Sequence, residues 1–164
     1  MRRGDYAAAW AIQERALAER RREEADDPGR PYHLRWVWDG TPVDGRHVLV
    51  RCYHGLGDTL QFAPFLPELA ARAASVTVEA PARLHGLLSI FPCQLKAFDP
   101  DRPAPRSGCD VEIMELAFAL RLQPDEVPAQ WLRADRFSLP RGTLGLCLAA
   151  GEWGRSRCAD RAAG

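Results

Sequence analysis

Residues 54–61, His-Gly-Leu-Gly-Asp-Thr-Leu-Gln, close an apolar run, "HVLVRCY", and open a helical pattern. Three kinds of chemistry suit such a turn. A dinucleotide cradle needs GxGxxG after a strand and an acid at the end of the next one. Gly55, Gly57 and Glu79, which lies 22 residues beyond Gly57, meet part of that pattern. The third glycine position holds Leu60, and Asp58 sets a carboxylate where a pyrophosphate would sit on a helix N-terminus. A purely structural reading makes Asp58 a helix cap, accepting from the first free N–H groups, with Gly55 and Gly57 supplying positive φ or close backbone approach. A catalytic reading makes Asp58 a general base toward a hydroxyl, with His54 and Glu79 as the nearest substitutes. The four residues GLGD do not choose among these.

The elements around the turn decide what it can face. From residue 47 onward, short β-branched strands alternate with helical patterns. "HVLVRCY" reads as a strand, and "DTLQFAPFLPELAARAA" as a helix with Leu60, Ala63, Leu66, Leu69 and Ala70 inward, bent by Pro64 and Pro67. "SVTVEA" is a second strand, and "PARLHGLLSIF" a second helix with Pro81 in its first turn. "CQLKAF" is a weaker third strand, "DPDRPAPRSG" a loop, and "CDVEIMEL" a fourth strand running into the short helix "AFALRL". "TLGLCLAA" is a last strand. This alternation predicts an α/β fold, a Rossmann-like parallel sheet with helices on both faces. In such sheets ligands sit at the carboxyl ends of strands, which is where the GLGD turn lies.

Upstream, residues 5–26 predict a helix whose Tyr6, Trp10 and Leu17 pack beside the sheet; it ends in the charged, solvated stretch "ERRREEADD". Residues 28–46 form a linker in which Trp36 and Trp38 pin the chain to the domain. The expected organisation is a repeat-like helix at 1–27, the linker at 28–46, the α/β domain at 47–142 and the start of a second domain at 143–164.

The 164 residues are 46% hydrophobic and 27% charged with zero net charge, enough to build a core and with no overall field to attract nucleic acid or an anionic membrane. Lys96 is the only lysine. Cys52, Cys93, Cys109, Cys147 and Cys158 form no CxxC pair, which excludes a Cys-based zinc site and suits a reducing compartment. No apolar run reaches the roughly 18 residues that span a bilayer, and the N-terminus lacks a signal-peptide pattern. The expectation is a soluble, cytoplasmic protein without a metal.

With these elements in place, the chain resembles the glycosyltransferase-like domain found at the C-terminus of many bacterial tetratricopeptide-repeat proteins, related to the family-9, heptosyltransferase-type glycosyltransferases. The matching segments are "WDGTPVDGR" (38–46), "GLGDTLQF" (55–62), "LPELA" (66–70), "VTVEAPARLHGLL" (76–88), "DVEIMEL" (110–116), "VPAQWLRAD" (127–135) and "LGLCLAAGEWGRSRC" (144–158), with "GDYAAAW" (4–10) like a last repeat helix. The resemblance implies the N-terminal, acceptor-side domain of a GT-B fold. It implies inverting transfer from a nucleotide sugar, a substrate rather than a resident cofactor, to a glycan or protein acceptor. Asp58 takes the role of base, and Gly55, Leu56, Gly57, Thr59 and Gln61 fall in the substrate-binding turn.

Family members continue well past the strand matched by "LGLCLAAG", so a truncated chain, inactive alone, is the expectation. A poorly covered last strand, Leu144–Ala149, would then favour self-association. The alternative is a non-catalytic binding or scaffold module of the same fold, and a weaker one a dinucleotide-binding oxidoreductase fragment.

Overall fold

The computed structural model describes residues 4–22, 32, 35, 37–127 and 140–143. The chain divides into two compact units, Met1–Leu132 and Arg133–Gly164. In the second, residues 140–143 form a turn in which the Thr143 N–H donates to Pro140 O at 3.1 Å. The expected strand "TLGLCLAA" beyond Thr143, and the Leu144–Ala149 face, lie outside the described residues, as do Trp36 and most of "VPAQWLRAD".

The first unit is built on a four-stranded parallel sheet, β1 His47–Arg51, β2 Ser75–Ala80, β3 Gln94–Ala97 and β4 Asp110–Glu112, in the order β3-β2-β1-β4. β1 pairs with β2 through Val48↔Val76 and Val50↔Val78, and with β4 through Val50↔Val111. This is a Rossmann-like α/β fold with an N-terminal helix. The helices are α1 Tyr6–Arg22, α2 Leu56–Phe62, α3 Leu66–Arg72, α4 His85–Leu88 and α5 Leu116–Leu120.

Alternation along the strands sorts the side chains onto two faces. Val48, Val50, Cys52, Val76, Val78, Ala80 and Val111 point to one face, where they form a single core with Ala63, Leu66 and Leu69, with Leu84 and Leu88, and with Leu116 and Leu120. The other face carries Arg51, Glu79 and Asp110 and is met by Ala104 and Pro105 of the β3–β4 connection. Helices on both faces are therefore not what the described residues form. The connection between β3 and β4 contains Pro103, Pro105 and Gly108, which suit a loop over the second face rather than a helix.

The expected single bent helix after the turn is instead two helices joined by a 3₁₀ turn at Ala63–Phe65. Pro64 falls in the first turn of that 3₁₀ segment and Pro67 in the first turn of α3, positions whose N–H needs no intrahelical partner. Breaking the helix twice thus avoids the cost of proline in a helix interior. The second helix is also shorter than its pattern, a 3₁₀ turn at Ala82–Leu84 leading into α4, with Pro81 preceding rather than opening it. β4 stops at Glu112 because Glu112 caps the next turn, accepting from Met114 N–H at 2.7 Å.

α1 begins where Asp5 Oδ1 accepts from Ala8 N–H at 3.0 Å. Leu17 is buried in the core, Trp10 packs against it, and Tyr6 meets Trp10 at a ring separation of 6.3 Å. Trp38 is buried, with its indole N–H on Thr41 O at 2.9 Å and its ring edge-on to Phe118. It holds the linker to the domain, as the sequence suggested.

Candidate functional site

Strand order reverses between β1 and β4, since the chain runs outward through β2 and β3 before returning to the far side of β1. In open α/β sheets the crevice outside the carboxyl strand ends at such a reversal is the binding site. The segments that leave β1 and β4 there are Cys52–Asp58 and Ile113–Glu115.

Gly55 is the N-cap of α2, at φ −66°, so neither it nor the helical Gly57 uses the positive φ expected of the turn. A Cβ at Gly57 would meet nothing within 4 Å. The glycine leaves open space beside the helix start and relieves no clash. Asp58 does not open the helix; it is the third helical residue, and its Oδ2 accepts from Gly55 N–H at 3.0 Å. This is the backward half of a capping box, in which a side chain braces the N-cap amide. Thr59 is fully buried and its hydroxyl donates to Gly55 O at 3.2 Å, so it braces the same turn from inside. Leu56 packs partly against the core, whereas Gly57 and Gln61 are exposed.

Across the reversal, His54 Nδ1 lies 3.1 Å from Glu112 Oε1, close enough for an ion pair but without the alignment of a directed hydrogen bond. Glu112 is buried. Its carboxylate raises the His54 pKa above the ordinary imidazole value, against the effect of burial, and Asp58 and Glu115 add to the rise. Glu115 Oε2 accepts from Trp38 N–H at 3.1 Å and from Glu112 N–H at 3.2 Å, while Oε1 lies 3.6 Å from Arg20 of α1. Burial pushes the Glu115 carboxyl up to about 7, further than these donors and Arg20 can pull it down. The His54 imidazole thus lies in the field of three carboxylates, with Glu112 within ion-pair distance. Cys52, beside it, is buried and its thiol is raised by burial and by Glu112, so it is no nucleophile.

Glu79 is not one of these carboxylates. It is fully buried on the far face, where Oε2 accepts from Arg51 Nη1 at 2.8 Å and Oε1 from Ala104 N–H at 2.7 Å. Arg51 also donates through Nε to Asp110 Oδ2 at 3.0 Å, through Nη2 to the same carboxylate, and to the Ala104 and Pro105 carbonyls. Asp110 Oδ1 in turn accepts from Ser107 N–H and Oγ. Every polar atom of Glu79 is engaged inside the fold, which removes it as a ribose ligand and as a substitute base. Arg51, Asp110, Glu112 and Glu115 were not singled out by the sequence reading. The available signal was a charged residue inside each apolar strand run, "VLVRCY" and "DVEIMEL".

Among the described residues, no group of three or more His, Cys, Asp or Glu is arranged to hold a metal ion, and no helix is long and apolar enough to cross a membrane. Compared with protein families, with curated proteins and with solved structures, the chain matches none.

Proposed function

We propose that this chain supplies the acceptor side of a glycosyl-transfer cleft of GT-B type, working in the cytoplasm with a second, donor-side domain that binds a nucleotide sugar. One observation supports the reading: the GLGD turn lies at the carboxyl end of β1 where strand order reverses, with Asp58 close enough to act on the imidazole of the His54–Glu112 pair. In the proposed step the acceptor O–H proton passes to Asp58 as its oxygen bonds the anomeric carbon. The bond from that carbon to the phosphate oxygen breaks, and the electron pair leaves with the nucleoside diphosphate. Inversion at the anomeric carbon follows from attack opposite the leaving group.

A second reading, a non-catalytic glycan- or protein-binding module, is favoured by the hydrogen bond of Asp58 Oδ2 to Gly55 N–H, which gives this carboxylate a structural role of its own. The dinucleotide reading has lost its ribose ligand, because both Glu79 oxygens are committed to Arg51 and Ala104.

The test on this chain is amide NMR with three sets of ligands: neutral oligosaccharides, nucleotide sugars, and NADH. Oligosaccharides are expected to move the amides of residues 54–61 and 112–115, with no response to NADH. Saturable NADH binding at those amides would overturn the proposal.

A further inference from the structure

A cavity of about 780 Å³ opens along α2, between α1 and the segment that follows β4. Its walls are mainly apolar and include the rings of Trp10 from α1, Phe62 and Phe65 after the turn, and Phe118 of α5. Among the described residues no charged residue lines it; the lining residues with polar side-chain groups are Tyr6, Trp10, Gln13 and Gln61. Gly57 forms part of the wall, and the space where its Cβ would stand is open.

We infer that this cavity is a binding site for an uncharged, mainly apolar small molecule that carries a few hydrogen-bonding groups. The volume falls within the range of about 300–1,000 Å³ that small-molecule sites occupy, and the lining has their usual makeup of apolar and aromatic walls with few polar groups. Charge complementarity sets the class of ligand. An ionised group entering here would lose its water and find no charged side chain on the described wall; the Arg121 guanidinium, which lies over the Trp10 and Phe118 rings, is already engaged by Glu14. Met114, an exposed lining residue, offers a side chain that adapts to the shape of what enters. A folded protein partner meets its target over a broad surface of about 800 Å² per side, a poorer match to a recess. Gly57 and Gln61 flank Asp58 on α2, so a molecule held here lies next to the GLGD turn. The inference stands whether or not that turn transfers sugar.

The test is titration with the neutral fluorophore N-phenyl-1-naphthylamine, followed by competition with 1-decanol and with decanoate. Saturable one-to-one binding is expected, displaced by 1-decanol far better than by decanoate. Ala9→Phe and Gly57→Leu fill the cavity from opposite walls, and each is expected to weaken binding by at least about tenfold. Ala7→Phe, on the exposed side of α1, is expected to leave it unchanged. Should one filling variant fail to fold, the other carries the same test. Non-saturable binding, equal displacement by decanoate, or indifference to both filling variants would overturn the inference. So would light scattering that shows a dimer which Ala9→Phe dissociates, because the cavity would then be an interface between copies.

Discussion

His54 and Glu112 face each other across the reversal of strand order, with imidazole Nδ1 3.1 Å from a carboxylate oxygen whose residue is buried. Among the described residues neither atom makes a directed hydrogen bond, and Glu112 is the largest influence on the imidazole. Glu112→Gln removes the charge and keeps the shape, and the His54 pKa should fall back toward the ordinary imidazole value. Proton NMR titration of the His54 ring reads this directly. An unchanged titration would show that the pair does not exist in solution.

Arg51 holds the second face together. Its guanidinium is buried between Glu79 and Asp110, and removing one member of a buried ionic cluster costs about 3–5 kcal/mol because the remaining charge is stranded. Arg51→Met should therefore lower stability by about that much in urea unfolding. Arg51→Lys should recover only part of it, since an ammonium cannot reproduce the planar fork that reaches Glu79, Asp110 and two carbonyls at once. A loss below about 1 kcal/mol in the Met variant would contradict the network's role.

Such a network is hard to read from sequence because its members lie far apart in the chain. Arg51 stands 28 residues from Glu79 and 59 from Asp110. The runs "HVLVR" and "SVTVEA" announced β1 and β2 because a short β-branched, apolar stretch leaves a local mark, and the turn's place at a strand end followed from them. Trp38 was legible as a linker anchor for a similar reason, a large ring in a Pro- and Gly-rich stretch. What local pattern could not show was that Glu79 turns toward Arg51 and that Glu112 turns toward His54. Both depend on strand register and on which strand becomes the neighbour of β1. The break at Ala63–Phe65 was foreshadowed by Pro64 and Pro67, but a bend and a 3₁₀ interruption look alike in sequence.

Glu115 and His54 give the stability a pH dependence of one sign. Each holds its proton more tightly in the folded chain than in the unfolded one, Glu115 with a carboxyl pushed from 4.5 to about 7. The Glu115 contribution is complete below its unfolded value and is lost as pH rises through the folded one; that of His54 is lost as pH rises through its own raised value. Relative to Glu115→Gln, which does not titrate at this position, the wild-type protein should lose stability steadily from about pH 4.5 to about pH 7 and level off above that. Thermal melts across that window measure it. A wild-type protein that gains on the Gln variant with rising pH would mean that the Trp38 and Glu112 amides and Arg20 outweigh burial.

Asp58 braces a turn and, in the proposed reading, would also take the proton of an acceptor hydroxyl. Asp58→Asn separates the two roles, because an amide oxygen can still accept from Gly55 N–H but cannot take a proton. The deciding measurement is the rate of sugar transfer or donor hydrolysis by a polypeptide that carries both halves of the cleft, compared between wild type and Asp58→Asn. A nearly unchanged melting temperature is expected, with a rate lower by about 10²–10⁴-fold, the usual contribution of a general base. Full activity in the Asn variant would contradict the proposed reading and leave Asp58 as a brace for the Gly55 turn.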